Sequence, residues 1–308
     1  MDLSVDGSSL QTYGGRALDP HVSALHSLAQ AHADAPIPPL PQALVNSGAG
    51  DRFAARYADL SKVLTESVQQ ATGSRNKLST TTTNYGGAET KGIEYLGGDA
   101  DRATAQTSTS AGSPIAIPNS DTPSGQPDGL VAALQAVTDK LTSLTSRLGI
   151  DSLVKPTLDK LWANVVDPQH HDQAADRHDA HAGQTAVLKT DLEKQVKGSL
   201  TWDGAARTAF DTNTRKHLAT LDDAVDRHQK LAAAHRGTAD AIREFLSHAV
   251  LATEVFAASY AVTMFVSAFW EPILMLALAE IAAWVLYITG WLVVRLIYGV
   301  QSAQKMLA

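Results

Sequence analysis

The stretch Ala205–His248, AARTAFDTNTRKHLATLDDAVDRHQKLAAAHRGTADAIREFLSH, decides the fold class. Its apolar side chains recur near every seventh residue, and His228, His235 and several alanines occupy other positions of the same stripe. The recurring apolar residues are Phe210, Leu218, Leu221, Val225, Leu231, Ile242, Phe245 and Leu246. This period is typical of a helix packed at a shallow angle against an antiparallel partner. The nearest partner is the polar, helix-forming stretch over residues 169–200, so the sequence predicts a helical hairpin.

The chain becomes almost entirely apolar after this helix. Residues 250–270 and 273–294 form two apolar runs of about 20 residues, the length that spans a bilayer core, and Glu271–Pro272 separates them. Aromatic residues suited to a membrane interface occur along these runs: Trp270, Trp284, Tyr287, Trp291 and Tyr298. The sequence therefore predicts a hydrophobic transmembrane helical hairpin over 249–308. A hairpin buried in a large assembly is the alternative.

Charged residues lie within and beside the two apolar runs. Glu254 and Glu280 lie inside them, where an ionisable side chain is costly and usually faces a partner or a water-filled path. Arg295 is about 22 Å along the helix from Glu280 and is too far away to pair with it. Glu280 is expected to face another subunit, to line a pore or to stay protonated, whereas Glu254 lies near the interface. Arg243, Arg295 and Lys305 predict that both ends of the hairpin lie on the same, positively charged side.

The N-terminal region, residues 1–85, predicts a first helical-hairpin module. Apolar residues recur at helical spacing over 19–35, and the proline-rich stretch 36–41 ends that helix. A longer helix is expected over 53–83, with Asp51 as its N-cap.

Residues 86–127 are rich in Gly, Ser, Thr, Pro and Asp and show no sustained period, which predicts a flexible, disordered linker. Helical patterns resume at 128–148 and 153–166, so residues 128–248 form a second helical module. The predicted fold class is all-α, with two helical-hairpin modules joined by a disordered linker and followed by the transmembrane hairpin.

Composition excludes several function classes. The formal net charge is −7, which argues against nucleic acid as a partner. The chain contains no cysteine, which excludes disulfides, thiol nucleophiles and cysteine-bound zinc. The first twenty residues lack the basic and apolar regions of a classical signal peptide. Catalytic and nucleotide-binding motifs in a strand context are missing, so we expect neither an enzyme nor a cofactor.

Histidines are the other candidate ligands. Four of them lie close together in the sequence: His170, His171, His178 and His181. His178 and His181 share a helical face near Asp172 and Asp179, but the stretch 170–181 is otherwise interpreted as a solvated polar face. Nothing fixes the four-ligand geometry of a structural zinc site, so no metal is expected. Protonation of His228 and His235 is expected to weaken helix packing at acid pH.

The segment LTWDGAARTAF, residues 200–210, carries a W-x-G turn, Trp202 to Gly204, with Phe210 six residues after the glycine. Placed between a polar helix and a long heptad helix, it resembles the WXG family of type VII (ESX) secretion proteins, which are helical hairpins. The resemblance covers about residues 167–248. Gly204 permits the tight turn, and Trp202 is suited to cover the end of the hairpin. In this family the tryptophan is largely structural and helps to form a composite recognition surface.

A second motif lies after the first module. Exported relatives carry Y-x-x-x-[DE] after the second hairpin helix, and Tyr85 and Glu89 fit this pattern, as do Tyr95 and Asp99 ten residues later. By position we favour Tyr85 and Glu89 as the candidate secretion signal. The first module thus resembles the EspC-type ESX-secreted relatives of the WXG family, although it lacks the W-x-G turn itself.

Together these features predict a type VII secretion-associated protein, either an exported substrate or an accessory factor, with a membrane-inserting C-terminal tail. The expected partners are a WXG-like helical chain or a second copy, the secretion machinery and membrane lipid. The expected location is a membrane, with secretion or the cell envelope as destinations of a type VII route. The alternatives are a resident two-span membrane protein that presents helical docking modules, and an oligomeric pore-former.

Overall fold

The computed structural model describes residues 18–95, 128–147, 150–198, 205–267 and 272–305. Each regular element within these ranges is helical, which confirms the all-α class. The helices are α1 Asp19–Ala33, α2 Gln42–Asn46, α3 Ala49–Tyr95, α4 Gly129–Arg147, α5 Asp151–Trp162, α6 Gln169–Gly198, α7 Ala205–Ser267, α8 Pro272–Leu286 and α9 Val293–Gln304, with a π-helical segment, Tyr287–Leu292, between the last two.

The chain divides into two compact units that are not consecutive in sequence. The first unit is drawn from residues 1–35, 57–119 and 179–229, and the second from residues 36–56, 120–178 and 230–308. Helices α3, α6 and α7 each contribute to both units. This division differs from the consecutive modules expected over 1–85 and 128–248, because periodicity identifies a helix but not which part of it packs with which neighbour.

Side-chain caps and one glycine determine where several helices begin. The backbone N–H of Leu130 donates to Asp128 Oδ1 at 2.9 Å, and that of Gln169 donates to Asp167 Oδ1 at 2.9 Å. These carboxylates satisfy otherwise unpaired donors at the starts of α4 and α6. Gly48, at φ 73°, supplies the left-handed residue between α2 and α3. We expected Asp51 to be the N-cap of α3, but the helix begins at Ala49 and Asp51 lies within its first turn.

Two small clusters among the described residues contribute to the core of the first unit. Both combine side chains of α3, α6 and α7 with residues from the N-terminal part of the chain. One contains Val22, Leu25, Val68, Ala71, Leu188 and Leu221, and the other contains Leu18, Leu78, Leu192 and Phe210. Their apolar burial stabilises the unit, and their polar neighbours form its outer face.

One larger cluster forms the core of the second unit. It joins the C-terminal apolar helices to α3, α4 and α5, so part of the apolar hairpin is core and not an appended tail. Its buried members include Leu44, Ala49, Leu134, Leu141, Val154, Leu161, Ile242, Leu246, Trp284, Leu292, Leu296 and Val300.

The apolar C-terminal part consists of two long helical stretches. Helix α7 runs without a break from Ala205 to Ser267, so residue 250 is a change of composition and not a helix boundary. The second stretch continues beyond Arg295, which we expected to close it, as far as Gln304. An alanine side chain lies against one glycine of each stretch: a Cβ placed on Gly237 would lie 2.5 Å from Ala303 Cβ, and one on Gly299 would lie 3.0 Å from Ala241 Cβ.

The π-helical segment maintains the buried stripe of the second stretch. Buried residues recur there every fourth position, at Trp284, Ile288, Leu292, Leu296 and Val300. In a regular α-helix a spacing of four residues drifts by about 40° per step. The wider π turn takes up part of this drift, so Ile288 through Val300 stay on the core side.

Two helix ends differ from the sequence expectation. Helix α3 continues through the threonine and glycine residues to Tyr95, so residues 86–95 are helical although we expected them in the linker. The remaining linker residues, 96–127, lie outside the described ranges. Helix α5 ends at Trp162, a few residues before the expected end at Val166.

Candidate functional site

The apolar hairpin, residues 250–267 of α7 and 272–294, is the first candidate site because its outer face is apolar and exposed. Two described helical stretches, Arg207–Thr263 and Leu278–Gln304, are long and apolar enough to cross a membrane, and only 33% and 22% of their most apolar windows is buried. The exposed apolar side chains along the hairpin are Leu251, Val255, Val262, Leu276, Leu278, Leu286, Trp291 and Val294. A core helix of a soluble protein would have most of such a window covered.

The inner face of the hairpin is packed by aromatic rings. Phe256 stacks on Trp284 with ring centroids 4.8 Å apart, and it also contacts Tyr260 at 5.5 Å. Such contacts add to the burial energy of the rings. The two helices of the hairpin, α7 and α8, therefore pack against each other through these rings and leave the outer face uncovered.

The two acids of the apolar hairpin have different surroundings. Ser259 Oγ donates to Glu280 Oε1 at 2.7 Å and Thr263 Oγ1 donates to it at 3.1 Å, so α7 supplies the partners of this carboxylate. Within the described residues, Glu280 Oε2 and Trp284 Nε1 are buried without a hydrogen-bond partner. Glu254 is exposed, like its neighbour Val255.

A polar and aromatic belt borders one end of the hairpin. Arg295 pairs with Glu244 at 2.7 Å and lies 5.0 Å from the Trp291 ring centroid. Tyr287 stacks on Trp291, and His248 contacts that ring edge-on. Amphipathic rings beside a cation are typical of a membrane–water interface. Arg295 thus serves this belt and not Glu280, in agreement with the distance expected along the helix.

Buried histidines in the second unit make a second candidate site. His171 Nε2–H donates to the Pro39 carbonyl oxygen at 3.2 Å, which leaves His171 Nδ1 to accept a hydrogen bond from His235 Nδ1–H at 3.0 Å. His235 is stacked between Phe53, at 4.7 Å, and His178, at 5.7 Å. We call His171 and His235 the histidine pair.

Burial disfavours the charged form of both rings of the histidine pair. Desolvation lowers the pKa of His171 to about 4, against a smaller raising effect of its bond to Pro39. Desolvation, together with the nearby charges of His171 and Arg177, lowers the pKa of His235 to about 2. Both rings are therefore neutral near pH 7.

The first unit buries histidines in the same way. His21 Nε2 lies 2.9 Å from His217 Nε2, and desolvation lowers the pKa of His21 to about 4 and that of His217 to about 3. His32 stacks on Tyr57 and contacts His228 edge-on. Sequence reasoning placed His228 and His235 in a helix seam, and both are buried there, but it interpreted the stretch 170–181 as a solvated face. In fact His171, His178 and His181 are buried.

Ion pairs fix the helices around the histidine pair. Arg243 on α7 pairs with Asp172 on α6 and lies 3.8 Å from Asp128, the N-cap of α4. Arg236 pairs with Asp176 at 3.3 Å. Since Asp172 is engaged by Arg243, it is not a direct partner of the neighbouring His171.

The residues of the W-x-G resemblance are only partly described. Trp202 and Gly204 lie outside the described residues. Phe210 is buried beside Leu192 of α6, as a hairpin that turns between α6 and α7 requires. Lys189 of α6 also pairs with Asp222 of α7 at 2.7 Å.

The candidate secretion signal lies on helical backbone. Tyr85 and Glu89 fall within α3, and Tyr95 is its last residue, whereas Asp99 lies outside the described ranges. The motif thus falls within the final turns of the helix and not after its end.

In the described part of the chain, no group of three or more His, Asp or Glu side chains is arranged to hold a metal ion. The histidines instead contact one another in pairs and stacks. Comparison with protein-family models, with curated proteins and with solved structures found no match to this chain.

Proposed function

We propose that this protein is a membrane-associating helical protein whose apolar hairpin enters a lipid bilayer. The observation that carries this proposal is the low burial of the two apolar stretches, 33% and 22% of their most apolar windows. Water contact with an apolar surface of this extent is costly, and lipid removes that cost. The belt around Trp291 and Arg295 supports an interfacial position for that end of the hairpin.

Flotation with lipid vesicles tests this proposal. Val255 and Val262 are 59% and 65% exposed on the outer face, so V255D/V262D removes membrane affinity without opening the core. Val187, 55% exposed on α6, is the matched control, and V187D is expected to float like the wild type. Each carboxylate in the hydrocarbon region costs about 3 kcal/mol, so the double variant is expected to stay at the bottom of the gradient. Equal flotation of both variants, or no flotation of the wild type, would refute the proposal.

We also propose that the protein is a type VII (ESX) secretion-associated protein, an exported substrate or accessory factor. The packing of α7 on α6 supports this assignment, since Phe210 of α7 lies beside Leu192 of α6, as expected for a helical hairpin. Its partners would be a WXG-like helical chain or a second copy, and the secretion machinery.

Fractionation of a host with and without a functioning type VII system tests the export proposal. The wild type is compared with Tyr85→Ala and with Tyr95→Ala, which separates the two candidate signals. Export that depends on the system and disappears in only one variant would support the proposal and identify the signal. If every form stays in the inner membrane in both hosts, the export proposal fails, and a resident two-span protein with helical docking modules replaces it.

A further inference from the structure

The segment 36–56 of the second unit is held at points that connect the histidine pair to the C-terminal helix. We call this segment the strap. Its Pro39 carbonyl accepts a hydrogen bond from His171, and its Phe53 ring stacks on His235. Next to Phe53, Arg52 Nε donates to Gln304 Oε1 at 2.7 Å, and Gln304 Nε2 donates to the Ala49 carbonyl at 3.2 Å.

The strap thus reaches the hairpin through α9. Gln304 is the last residue of α9, and Ala303 beside it lies against Gly237, two residues after His235. Leu44 and Ala49 of the strap are fully buried in the core that also contains Leu296 and Val300 of α9. Displacing the strap would therefore uncover the helix that follows the hairpin.

The histidine pair has little capacity for added protons. Its single hydrogen bond already uses the His235 Nδ1 proton and the His171 Nδ1 lone pair. One added proton can enter at His235 Nε2 and leave this bond in place, but a proton on His171 Nδ1 sets two N–H groups against each other unless His235 changes tautomer. In either case a positive charge is buried beside the neutral Phe53 ring.

The charged groups around the pair do not offset this charge. His170 and Asp172 act on His171, and Arg177 acts on His235. His178, whose ring stacks on His235 at 5.7 Å, is a further titratable group and supplies no negative charge. Asp172 is already paired with Arg243, and Asp176 with Arg236. Arg177, which lies 3.4 Å from the Pro36 carbonyl of the strap, adds like charge. On the strap itself, Arg52 is engaged by Gln304 and is a further cation.

We infer that the histidine pair is an acid-sensitive clamp, and that its protonation releases the strap and α9 so that the apolar hairpin passes from the protein core into a lipid bilayer. This inference rests on the proposed membrane function of the hairpin. Histidine in an unconstrained chain takes up its proton at about pH 6.5, so release begins below that pH. The opening equilibrium rises up to about tenfold per pH unit for each proton taken up.

The absence of cysteine from the sequence allows a direct measurement of strap position in the full-length chain. Spin labels are placed at Val45→Cys, which is exposed on the strap, and at Ser302→Cys, which is exposed on α9. Electron–electron distance measurements are then made at pH 7.5 and pH 5. We expect a narrow distribution at pH 7.5 and a longer, broader one at pH 5. An unchanged distribution overturns the inference.

Non-titrating variants assign the effect to the clamp. H171Q/H235L retains an N–H donor for Pro39 but removes both imidazoles, and it is expected to keep the narrow distribution at pH 5. Should this variant be unfolded by circular dichroism at pH 7.5, His235→Phe keeps a ring against Phe53 without a titrating group. His217→Leu, in the first unit, and His26→Gln, at an exposed position, are matched controls that leave strap release unchanged. Release that persists in the clamp variants overturns the inference.

Binding to phosphatidylcholine–phosphatidylglycerol vesicles, measured at both pH values, separates this inference from the proposed function. Wild-type binding is expected to rise at least about tenfold from pH 7.5 to pH 5, and binding by the clamp variant less than about twofold. Strap release without vesicle binding at either pH refutes the membrane function and leaves the clamp intact as a switch. Equal binding at both pH values with a closed strap refutes the clamp and leaves the membrane function standing.

Discussion

Phe210 shows what one residue of the W-x-G resemblance contributes to the fold. Its ring is only 8% exposed and packs with Leu18, Leu78 and Leu192, so it joins three parts of the first unit. The apolar stripe over 205–248 included Phe210 among the residues that pack against a partner helix, and the ring is buried. No sequence pattern predicted Leu18 and Leu78 as neighbours, because they come from distant helices whose pairing depends on tertiary packing.

Replacing Phe210 with alanine is expected to lower the free energy of unfolding by about 3–4 kcal/mol, since it removes a buried ring and leaves a cavity. Chemical denaturation followed by circular dichroism measures the change. Val187→Ala on α6, where the side chain is 55% exposed, is the control and should stay within about 0.5 kcal/mol of the wild type. A small effect of Phe210→Ala would mean that the α6–α7 hairpin does not depend on this contact.

Glu280 is a second residue whose chemistry can be tested. Its Oε1 accepts hydrogen bonds from the two α7 hydroxyls of Ser259 and Thr263. On binding to a vesicle, the carboxylate must still enter the apolar interior of the bilayer. Glu280→Leu is therefore expected to strengthen vesicle binding by about tenfold or more, measured by flotation over a lipid titration. Glu280→Gln, which keeps an acceptor for Ser259 and Thr263, is the comparison variant.

Dye release from the same vesicles decides the pore alternative. An oligomeric pore that depends on the carboxylate would lose its conductance in Glu280→Leu, although binding remains. Weaker binding of this variant would contradict the cost assigned to the buried acid.

At the scale of the element, helix type and approximate position followed from the sequence, and helix ends did not. The heptad pattern over 205–248 correctly indicated a long helix, but composition changes at 250 while the backbone hydrogen bonding does not, so α7 continues to Ser267. Likewise, the threonines at 80–83 each donate to a carbonyl four residues earlier, as Thr81 Oγ1 does to Lys77. These hydrogen bonds pair the threonine hydroxyls with the helix backbone, whereas in a loop the same hydroxyls would bind water.

The contact between Gly237 and Ala303 makes a prediction about one helix pair. Gly237→Ala should lower stability by about 1–3 kcal/mol, because the new Cβ would lie 2.5 Å from Ala303 Cβ and force α7 and α9 apart. Alanine alone would favour the helix by about 1 kcal/mol. The double variant G237A/A303G is expected to recover most of the loss in a double-mutant cycle.

Gly183→Ala on α6 is the control for that experiment. No atom lies within 4 Å of its added Cβ, so the helix propensity of alanine should stabilise the protein by about 0.5–1 kcal/mol. If Gly237→Ala stabilises the protein as much as Gly183→Ala, the close approach of the two helices is contradicted.

For the whole molecule, buried histidines predict an acid-labile fold. Four buried histidines, His21, His171, His217 and His235, have a folded-state pKa lowered to between about 2 and about 4. The unfolded chain binds their protons at about pH 6.5, so below that pH it takes up more protons than the folded chain. Stability is therefore fully present above about pH 6.5 and is lost as the pH falls toward 4.

Urea unfolding at pH 7.5, 6 and 5 measures this loss. The free energy of unfolding should fall by up to about 1.4 kcal/mol per pH unit for each proton taken up. Comparison between pH 7 and 5 keeps most carboxylates ionised. Stability that does not change over this interval would show that the buried rings are solvated in the folded protein.

The sequence placed His228 and His235 in a helix seam and predicts that their protonation weakens packing at acid pH, but it did not indicate that most of the other histidines are also buried. In a polar helix such as α6, a histidine of a solvated face and one of a packed face have the same neighbours in sequence. The difference lies in which helices cover them. The division into two discontinuous units could not be predicted either, because it depends on tertiary contacts. Residues 36–56 join the second unit through contacts with residues more than a hundred positions away.

The π-helical segment at 287–292 means that the phase of the C-terminal helix depends on the number of residues before it. Each residue of an α-helix turns the chain by about 100°. Removing one residue from this segment would therefore shorten the chain only slightly but would rotate everything after it, carrying Leu296 and Val300 away from the core and Arg295 away from Glu244. A deletion in this segment therefore acts by rotating α9, and the segment should tolerate substitutions better than a change of length.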